Sequence, residues 1–158
     1  MAIQKVREYF KSFGIEDKIM EFEKSSATVE LAAQAVGCEP ERIAKTLSFL
    51  VDDKCILIVA AGDAKIDNKK YKSEFKAKAK MIPFEDVEEI TGHGVGGVCP
   101  FGVNEGVTVY QDESLRRFGT VFPACGSDNS AIELTIPELE KYSNSVKWVD
   151  VCKGWQAE

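Results

Sequence analysis

Apolar residues that recur every three or four positions predict several helices along this chain. Val6, Phe10 and Phe13 follow this spacing with polar residues between them, and Gly14 would end their helix. The same pattern predicts an alanine-rich helix and three others, with shorter helical turns elsewhere. The helices are expected over residues 29–36, 67–75, 84–90 and 137–142, and the turns over 39–41 and 113–117.

Short apolar runs between turn residues predict the strands of a sheet. Residues 46–51 and 55–61 are separated by little more than Asp52-Asp53, which predicts an antiparallel hairpin. Residues 55–61 are continuously apolar, a composition typical of a strand that is buried on both faces. The remaining strands are expected over residues 18–23, 78–82, 107–111, 120–124, 131–135 and 147–149.

These elements predict one α/β (α+β) domain over residues 1–158, a length that suits a single core. Because most links between strands are short, we expect a mixed, mostly antiparallel, curled sheet of about seven strands surrounded by helices. Hydrophobic residues make up 44% and charged residues 29%, as in soluble globular proteins. Lys5, Arg7 and Glu8 interrupt the N-terminal segment, which therefore lacks a signal-peptide core, and we expect a cytoplasmic protein without membrane contact.

Cysteine and histidine usage argues against metal chemistry. The five cysteines are widely spaced and odd in number, which fits neither a disulfide framework nor a zinc site. His93 is the single histidine, so a metal centre with several histidine ligands is excluded. We expect no metal and no organic cofactor.

The charge of the chain is unevenly distributed. The net charge is −6, yet residues 65–80 contain seven lysines against Asp67 and Glu74. Such a basic stripe on an acidic body could contact a phosphate backbone locally. An ordinary solvated face rich in lysine is the alternative, and the sequence leaves both open.

Residues 92–102 form a glycine-rich stretch, Gly-His-Gly-Val-Gly-Gly-Val-Cys-Pro-Phe-Gly. Five glycines and a proline suit either a long tight turn or a backbone surface whose N–H groups face a ligand. The spacing matches neither a dinucleotide fingerprint nor a Walker loop. Cys99 and His93 could form a thiol nucleophile and its base, but no third orienting residue is indicated.

Lys45 lies just before a strongly apolar strand, at a junction between a helical turn and that strand. A partly buried lysine in this position could polarise a carbonyl group or meet a phosphate. A surface lysine that extends its ammonium into water is the alternative.

Several separate stretches resemble the YbaK/EbsC family of aminoacyl-tRNA deacylases, free-standing proteins related to the editing domain of bacterial prolyl-tRNA synthetases. The resemblance runs in order over about residues 15 to 150. It is carried by residues 28–33, 42–47, 62–63, 94–102 and 132–134, among them the lysine, the Gly-Gly-Val-x-Pro-x-Gly loop and the Ile-Glu-Leu strand.

The resemblance implies hydrolysis of the ester that joins a wrong amino acid to the 3′ end of a tRNA, with tRNA-Pro carrying Ala, Cys or another small amino acid as the expected substrate. Lys45 would contact the substrate near its carbonyl, and the N–H groups of Gly96 and Gly97 would stabilise the oxyanion. Prolyl-tRNA synthetase is an implied partner. Substrate-binding positions by the same resemblance are Phe22, Thr28, Thr46, Val98, Cys99, Pro100, Gly102, Ala124 and Gly126.

Departures from the family pattern keep two rival interpretations open. Ala131 stands where some relatives carry aspartate, and Thr28 stands where cysteinyl-tRNA-preferring members have an aromatic residue. The first change favours a non-catalytic binding module with the same fold. A thiol hydrolase that uses Cys99, where relatives often have serine, is the second rival.

Overall fold

The fold is built around a central hairpin of strands β2 (Ile43–Val51) and β3 (Lys54–Ala61). The structure, a computed structural model, describes residues 2–26, 28–94 and 98–155. The two strands pair antiparallel along their length, and both turn residues, Asp52 and Asp53, have positive φ. Positive φ at both positions is the geometry of a type I′ hairpin turn. Every residue of β3 after Lys54 is buried, which confirms the prediction of a strand enclosed on both faces.

Six of the described strands form the main sheet. Besides β2 and β3, they are β5 (Thr108–Asp112), β6 (Thr120–Pro123), β8 (Leu134–Thr135) and β9 (Lys147–Val149). Their order is β8-β6-β2-β3-β5-β9. Pairings β2–β6, β3–β5 and β5–β9 are parallel, whereas β2–β3 and β6–β8 are antiparallel.

Two antiparallel ribbons complete the β-structure. Strand β1 (Met20–Glu21) pairs with β7 (Ser130–Ala131), and β4 (Lys65–Ile66) pairs with β10 (Cys152–Lys153). Four of the seven pairings among the described strands are therefore antiparallel. The predicted mixed, mostly antiparallel arrangement is confirmed for these pairings as a whole, whereas three of the five pairings within the six-stranded sheet are parallel.

The described residues form five α-helices, which surround the sheet, and four short 3-10 turns that link elements. Helix α2 (Val29–Val36) begins after Thr28, whose hydroxyl accepts a hydrogen bond from the Leu31 N–H at 3.1 Å, and it ends at Gly37. Over the described chain, no helix is both long and apolar enough to span a membrane. The helices are α1 (Ala2–Lys11), α2 (Val29–Val36), α3 (Asn68–Phe75), α4 (Val87–Thr91) and α5 (Ile136–Ser143), and the turns are Glu16–Lys18, Pro40–Arg42, Phe84–Asp86 and Glu113–Arg117.

Three predicted elements differ from the structure. The strand expected over residues 131–135 is divided between two sheets, because Ala131 pairs with Met20 while Leu134 pairs with Val121. Residues 78–82 contribute one isolated bridge, between Met81 and Phe49, instead of a strand. The helix expected over 84–90 is a 3-10 turn followed by α4. The pairing of β4 with β10 was not predicted, because two residues are too few for a periodic signal.

The hydrophobic core has a large and a small cluster. The large one covers most of the sheet and includes Phe10 of α1, whose ring centroid lies 4.8 Å from that of Phe101. This contact holds the end of the glycine-rich stretch against α1. The small cluster joins Ala32 and Ala33 of α2 to Ile43 and Phe122. It fixes α2 over the start of β2, where the candidate site lies.

Candidate functional site

A cavity of about 490 Å³ lies beside β2, within the size range of small-molecule sites. Strand β2 contributes six consecutive residues to its wall, and the rest come from α2 and the residues before it, the end of β6 with Ala124, β7, Val98 and the segment around residues 81–87. Most of the lining is apolar. Among the described residues that line the cavity, Lys45 is the only one with a charged side chain.

The ammonium of Lys45 is half-buried and held by backbone carbonyls. It donates hydrogen bonds to the carbonyl oxygen of Gly62, at 3.4 Å, and to that of Ala64. Burial lowers the pKa of Lys45 below the usual lysine value, because the charged form loses hydration. An ammonium has three donors, so these two contacts leave a third hydrogen for another acceptor.

Gly62 brings these carbonyl acceptors to Lys45. A Cβ at this position would lie 2.0 Å from the carbonyl oxygen of Pro40 and 2.7 Å from Cγ1 of Val29. Only glycine therefore allows the chain after β3 to pass so close to the turn before β2. The ammonium is fixed in place as a result of this packing.

Arg42 and Glu133 tie the start of β2 to the neighbouring strands. The Arg42 guanidinium donates to the carbonyl of Thr120 at 3.3 Å and lies 3.4 Å from a Glu133 carboxylate oxygen. Glu133 also accepts from the Thr120 hydroxyl at 2.7 Å. Glu133, from the Ile-Glu-Leu stretch, therefore helps to position Arg42, which leads into β2.

Neutral hydroxyl groups supply most of the remaining polarity of the cavity. The Thr28 hydroxyl lies at the rim, where it caps α2, and Thr46 follows Lys45 on β2. Ser130 is buried and its hydroxyl accepts from the Ser127 hydroxyl at 2.7 Å. Ser26 and Ser48 also line the wall. Such neutral groups can orient a water molecule or the polar atoms of a ligand without adding a second charge to the cavity.

The structure brings together five of the site residues predicted from the sequence. The cavity is lined by Lys45, Thr28, Thr46, Val98 and Ala124. Gly96 and Gly97 lie outside the described residues, so their role as oxyanion donors stays a prediction.

The other predicted binding residues are not part of the described lining. Cys99 and Pro100 are buried in the core, and Gly102 packs against the backbone of Lys5. Gly126 is a buried turn residue with φ of 91°. The backbone of Phe22 exchanges hydrogen bonds with Asn129 at 2.8 and 3.0 Å.

Cys99 and His93 are neighbours, but their surroundings do not favour nucleophilic chemistry. The Cys99 sulfur lies 3.6 Å from His93 Nε2, and both residues are fully buried. Burial raises the pKa of Cys99 to about 12. His93 Nε2 lies 2.7 Å from the carbonyl oxygen of Phe101 and therefore carries the proton, so it cannot accept one from the thiol.

No metal centre is evident in the part of the chain that the structure describes. Within it, no three side chains of His, Cys, Asp or Glu are arranged to hold a metal ion. The expected absence of a metal from the reaction remains a prediction.

Met81 and Phe84 are among the lining residues that the sequence analysis did not predict. Met81 is 62% and Phe84 74% exposed, and both contribute to the cavity. In the sequence, these two residues are marked only by being apolar residues at the end of a lysine-rich segment. Nothing in the residue order shows that hydrogen bonds to β2 hold this segment at the cavity.

Comparisons with known proteins identify relatives of this chain. The model of the family described as "Aminoacyl-tRNA editing domain" matches residues 23–142. The uncharacterized protein YwhH of Bacillus subtilis (strain 168) is 56% identical over 157 residues, which cover 99% of this chain and 100% of the relative. A proline–tRNA ligase of Geobacillus sp. (strain WCH70) is 30% identical over 102 residues, which cover 64% of this chain but only 18% of the ligase.

A solved structure confirms the fold. The crystal structure of a proposed trans-editing enzyme for prolyl tRNA synthetase superposes with a TM-score of 0.87 at 28% sequence identity. The match covers 97% of this chain and 98% of that protein. Since the family model also matches most of the sequence, the chain belongs to the aminoacyl-tRNA editing domain family.

Proposed function

We propose that this chain is a free-standing hydrolase that removes a wrong amino acid from an aminoacyl-tRNA. One observation carries the proposal: the apolar cavity has a single charged lining residue among those described, the half-buried Lys45. Family membership and the likeness to a proposed trans-editing enzyme support the same reaction. An editing hydrolase is needed because a synthetase pocket discriminates a missing methylene by only about 1–3 kcal/mol.

Lys45 would act on the ester by electrostatics. Two of its three N–H donors are held by the carbonyls of Gly62 and Ala64, so its position is set before a substrate arrives. The third would donate to an oxygen of the ester or of the terminal ribose. The backbone N–H groups of Gly96 and Gly97 would stabilise the oxyanion, a role supported by Val98, the next described residue, which lines the cavity.

The attacking group would be a water molecule or a hydroxyl of the substrate. The buried Cys99 has a strongly raised pKa, which disfavours an enzyme thiolate. Thr46, which also lines the cavity, would help to orient this water. We therefore assign no covalent intermediate on the enzyme.

The substrate we favour is tRNA-Pro that carries Ala, Cys or another small amino acid, with prolyl-tRNA synthetase as a partner. Small side chains such as Ala32, Ala124 and Ala131 line the cavity and leave room for an aminoacyl group. The sequence relationship to a proline–tRNA ligase supports this choice of tRNA. A role in translation would place the protein in the cytoplasm.

A non-catalytic binding module of the same fold is the second candidate. It is favoured by Ala131, which presents a methyl group to the cavity where some relatives carry aspartate. This candidate predicts binding of aminoacyl-tRNA without accelerated loss of the amino acid.

A panel of mischarged tRNAs separates the two candidates. tRNA-Pro and one unrelated tRNA, each charged with Ala, Cys, Ser or Thr, are incubated with the protein, and the release of the labelled amino acid is followed. The proposal predicts release from tRNA-Pro for at least one small amino acid, and a Cys99→Ser variant that retains this activity. Binding without release on every substrate would support the second candidate.

A further inference from the structure

A segment at the cavity mouth combines positive charge with exposed apolar side chains. Residues 78–84, Lys-Ala-Lys-Met-Ile-Pro-Phe, are here called the rim segment. Lys78 and Lys80 are exposed, and Met81 and Phe84 contribute to the cavity lining. The catalytic proposal above uses none of these four side chains.

Hydrogen bonds to the second half of β2 hold the rim segment in place. The Leu50 N–H donates to the carbonyl of Lys80 at 2.8 Å, and the Ile82 N–H donates to the carbonyl of Ser48 at 3.4 Å. Ser48 itself lines the cavity. The segment therefore runs along β2 toward the cavity. Its two lysines come first in the chain, and Phe84, at its end, lies at the cavity wall.

The exposed apolar surface of the rim segment lacks a partner within the described fold. Phe84 is 74% exposed and Met81 62%, whereas the neighbouring Ile82 is only 5% exposed. A ring exposed at the mouth of a ligand cavity is suited to stack on a nucleobase. Base–aromatic stacking is tolerant of sequence because every base presents a π-face.

The charge of the rim segment is opposite to that of the protein. Residues 75–84 contain three lysines and no acidic residue, whereas Glu85, Asp86, Glu88 and Glu89 follow them and the whole chain has a net charge of −6. The preceding acidic residue, Glu74, is engaged by Lys147 at 2.5 Å. The positive field is therefore confined to the lysine end of the rim segment, where it favours a phosphate, while the acidic residues after Phe84 would repel one.

We propose that the rim segment binds single-stranded RNA immediately before the end that enters the cavity. Lys78 and Lys80 contact phosphates, and Phe84 and Met81 stack on a base at the opening. This inference rests on the proposed function for the identity of the nucleic acid. It adds a binding surface that is separate from Lys45.

Two kinds of variant test the two parts of this surface. The probe is a short fluorescein-labelled single-stranded RNA that ends in CCA, and fluorescence anisotropy gives Kd over a series of KCl concentrations. The Lys78→Gln/Lys80→Gln variant is expected to weaken binding and to reduce the slope of log Kd against log salt by about 1.4, since each contact releases counterions. Phe84→Ala is expected to weaken binding about fivefold or more, with the slope unchanged.

Matched controls are available on other faces of the protein. Lys11 and Lys141 are exposed lysines on α1 and α5 that do not line the cavity, and Val146 is 61% exposed. The Lys11→Gln/Lys141→Gln and Val146→Ala variants should bind the RNA like the wild type. Thermal unfolding of each variant establishes that it is folded.

The RNA-binding test does not depend on whether the protein hydrolyses aminoacyl-tRNA. If the rim variants lose RNA affinity as described while no tRNA is deacylated, the binding surface stands and the proposed hydrolysis fails. Equal losses of affinity in the rim variants and in the control variants would overturn the inference. The inference would also be overturned if the lysine variant kept the wild-type salt slope and Phe84→Ala kept the wild-type affinity, even in a protein that deacylates tRNA.

Discussion

Lys45 and Cys99 show how the immediate surroundings of a residue decide its chemistry. Burial lowers the pKa of the lysine, but two carbonyls keep its ammonium hydrogen-bonded beside an open cavity. Burial raises the pKa of Cys99 to about 12, and the thiol has no access to the cavity. The lysine thus keeps a charge where a substrate can use it, whereas the cysteine is a neutral core residue.

The pH dependence of stability should reveal the buried His93. Its pKa is lowered, mainly because burial removes hydration from the charged ring, and Nδ1 has no hydrogen-bond partner among the described residues. Below the unfolded-state pKa of about 6.5 the unfolded chain binds a proton that the folded protein resists. Stability should therefore fall as the pH drops from about 6.5 toward the lowered folded-state pKa, by up to about 1.4 kcal/mol per pH unit.

Urea unfolding of the wild type and of His93→Gln at several pH values checks this expectation. The glutamine can still donate to the carbonyl of Phe101, yet it does not titrate. The variant should lose less stability than the wild type between neutral and mildly acidic pH. An identical loss in both proteins would show that His93 is not the titrating group.

At the scale of elements, the β2–β3 hairpin assembles the site. Its register places Lys45 opposite Ala60, next to the turn whose carbonyls hold the ammonium. The sequence predicted this hairpin because Asp52-Asp53 joins two apolar runs. It could not predict the carbonyl partners of Lys45, which lie 17 and 19 residues away and meet it only after folding.

Gly62→Ala should destabilise the protein and impair the site together. The new Cβ would meet the Pro40 carbonyl oxygen at 2.0 Å, so the turn Pro40–Arg42 or the end of β3 must move. We expect a loss of about 1–3 kcal/mol in the free energy of unfolding, as for overpacked cores. Deacylation should also slow, since Gly62 provides an acceptor for Lys45.

Gly119→Ala is the matched control for this substitution, because a Cβ there would meet no atom within 4 Å. Chemical denaturation compares the two variants with the wild type. A Gly62→Ala protein as stable as Gly119→Ala would contradict the close approach seen at this turn.

At the scale of the whole molecule, an acidic body carries a basic segment that leads into the cavity. The sequence identified the lysine-rich region between residues 65 and 80, because charge is visible without a fold. It did not identify Met81 and Phe84 as lining residues, since only their hydrogen-bonded neighbours on β2 bring them there. Long-range pairing of this kind leaves no periodic signal in a short segment.

The structure places the predicted site residues of β2 along the cavity, whereas several predicted residues of the glycine-rich stretch lie elsewhere. Lys45 and Thr46 line the cavity because they belong to the strand that forms its wall. Cys99 and Pro100, close to Val98 in sequence, turn into the core instead. A glycine- and proline-rich stretch has no fixed alternation, so the sequence could not assign its side chains to one face.

The central claim is that Lys45 promotes hydrolysis of an aminoacyl ester. The most direct measurement is the rate of amino-acid release from mischarged tRNA-Pro by the wild type, by Lys45→Ala and by the control Lys11→Ala, with circular dichroism to verify folding. We expect the wild type and Lys11→Ala to accelerate release equally, and Lys45→Ala to be slower by about 100-fold or more. Release by a folded Lys45→Ala protein at the wild-type rate would contradict the account.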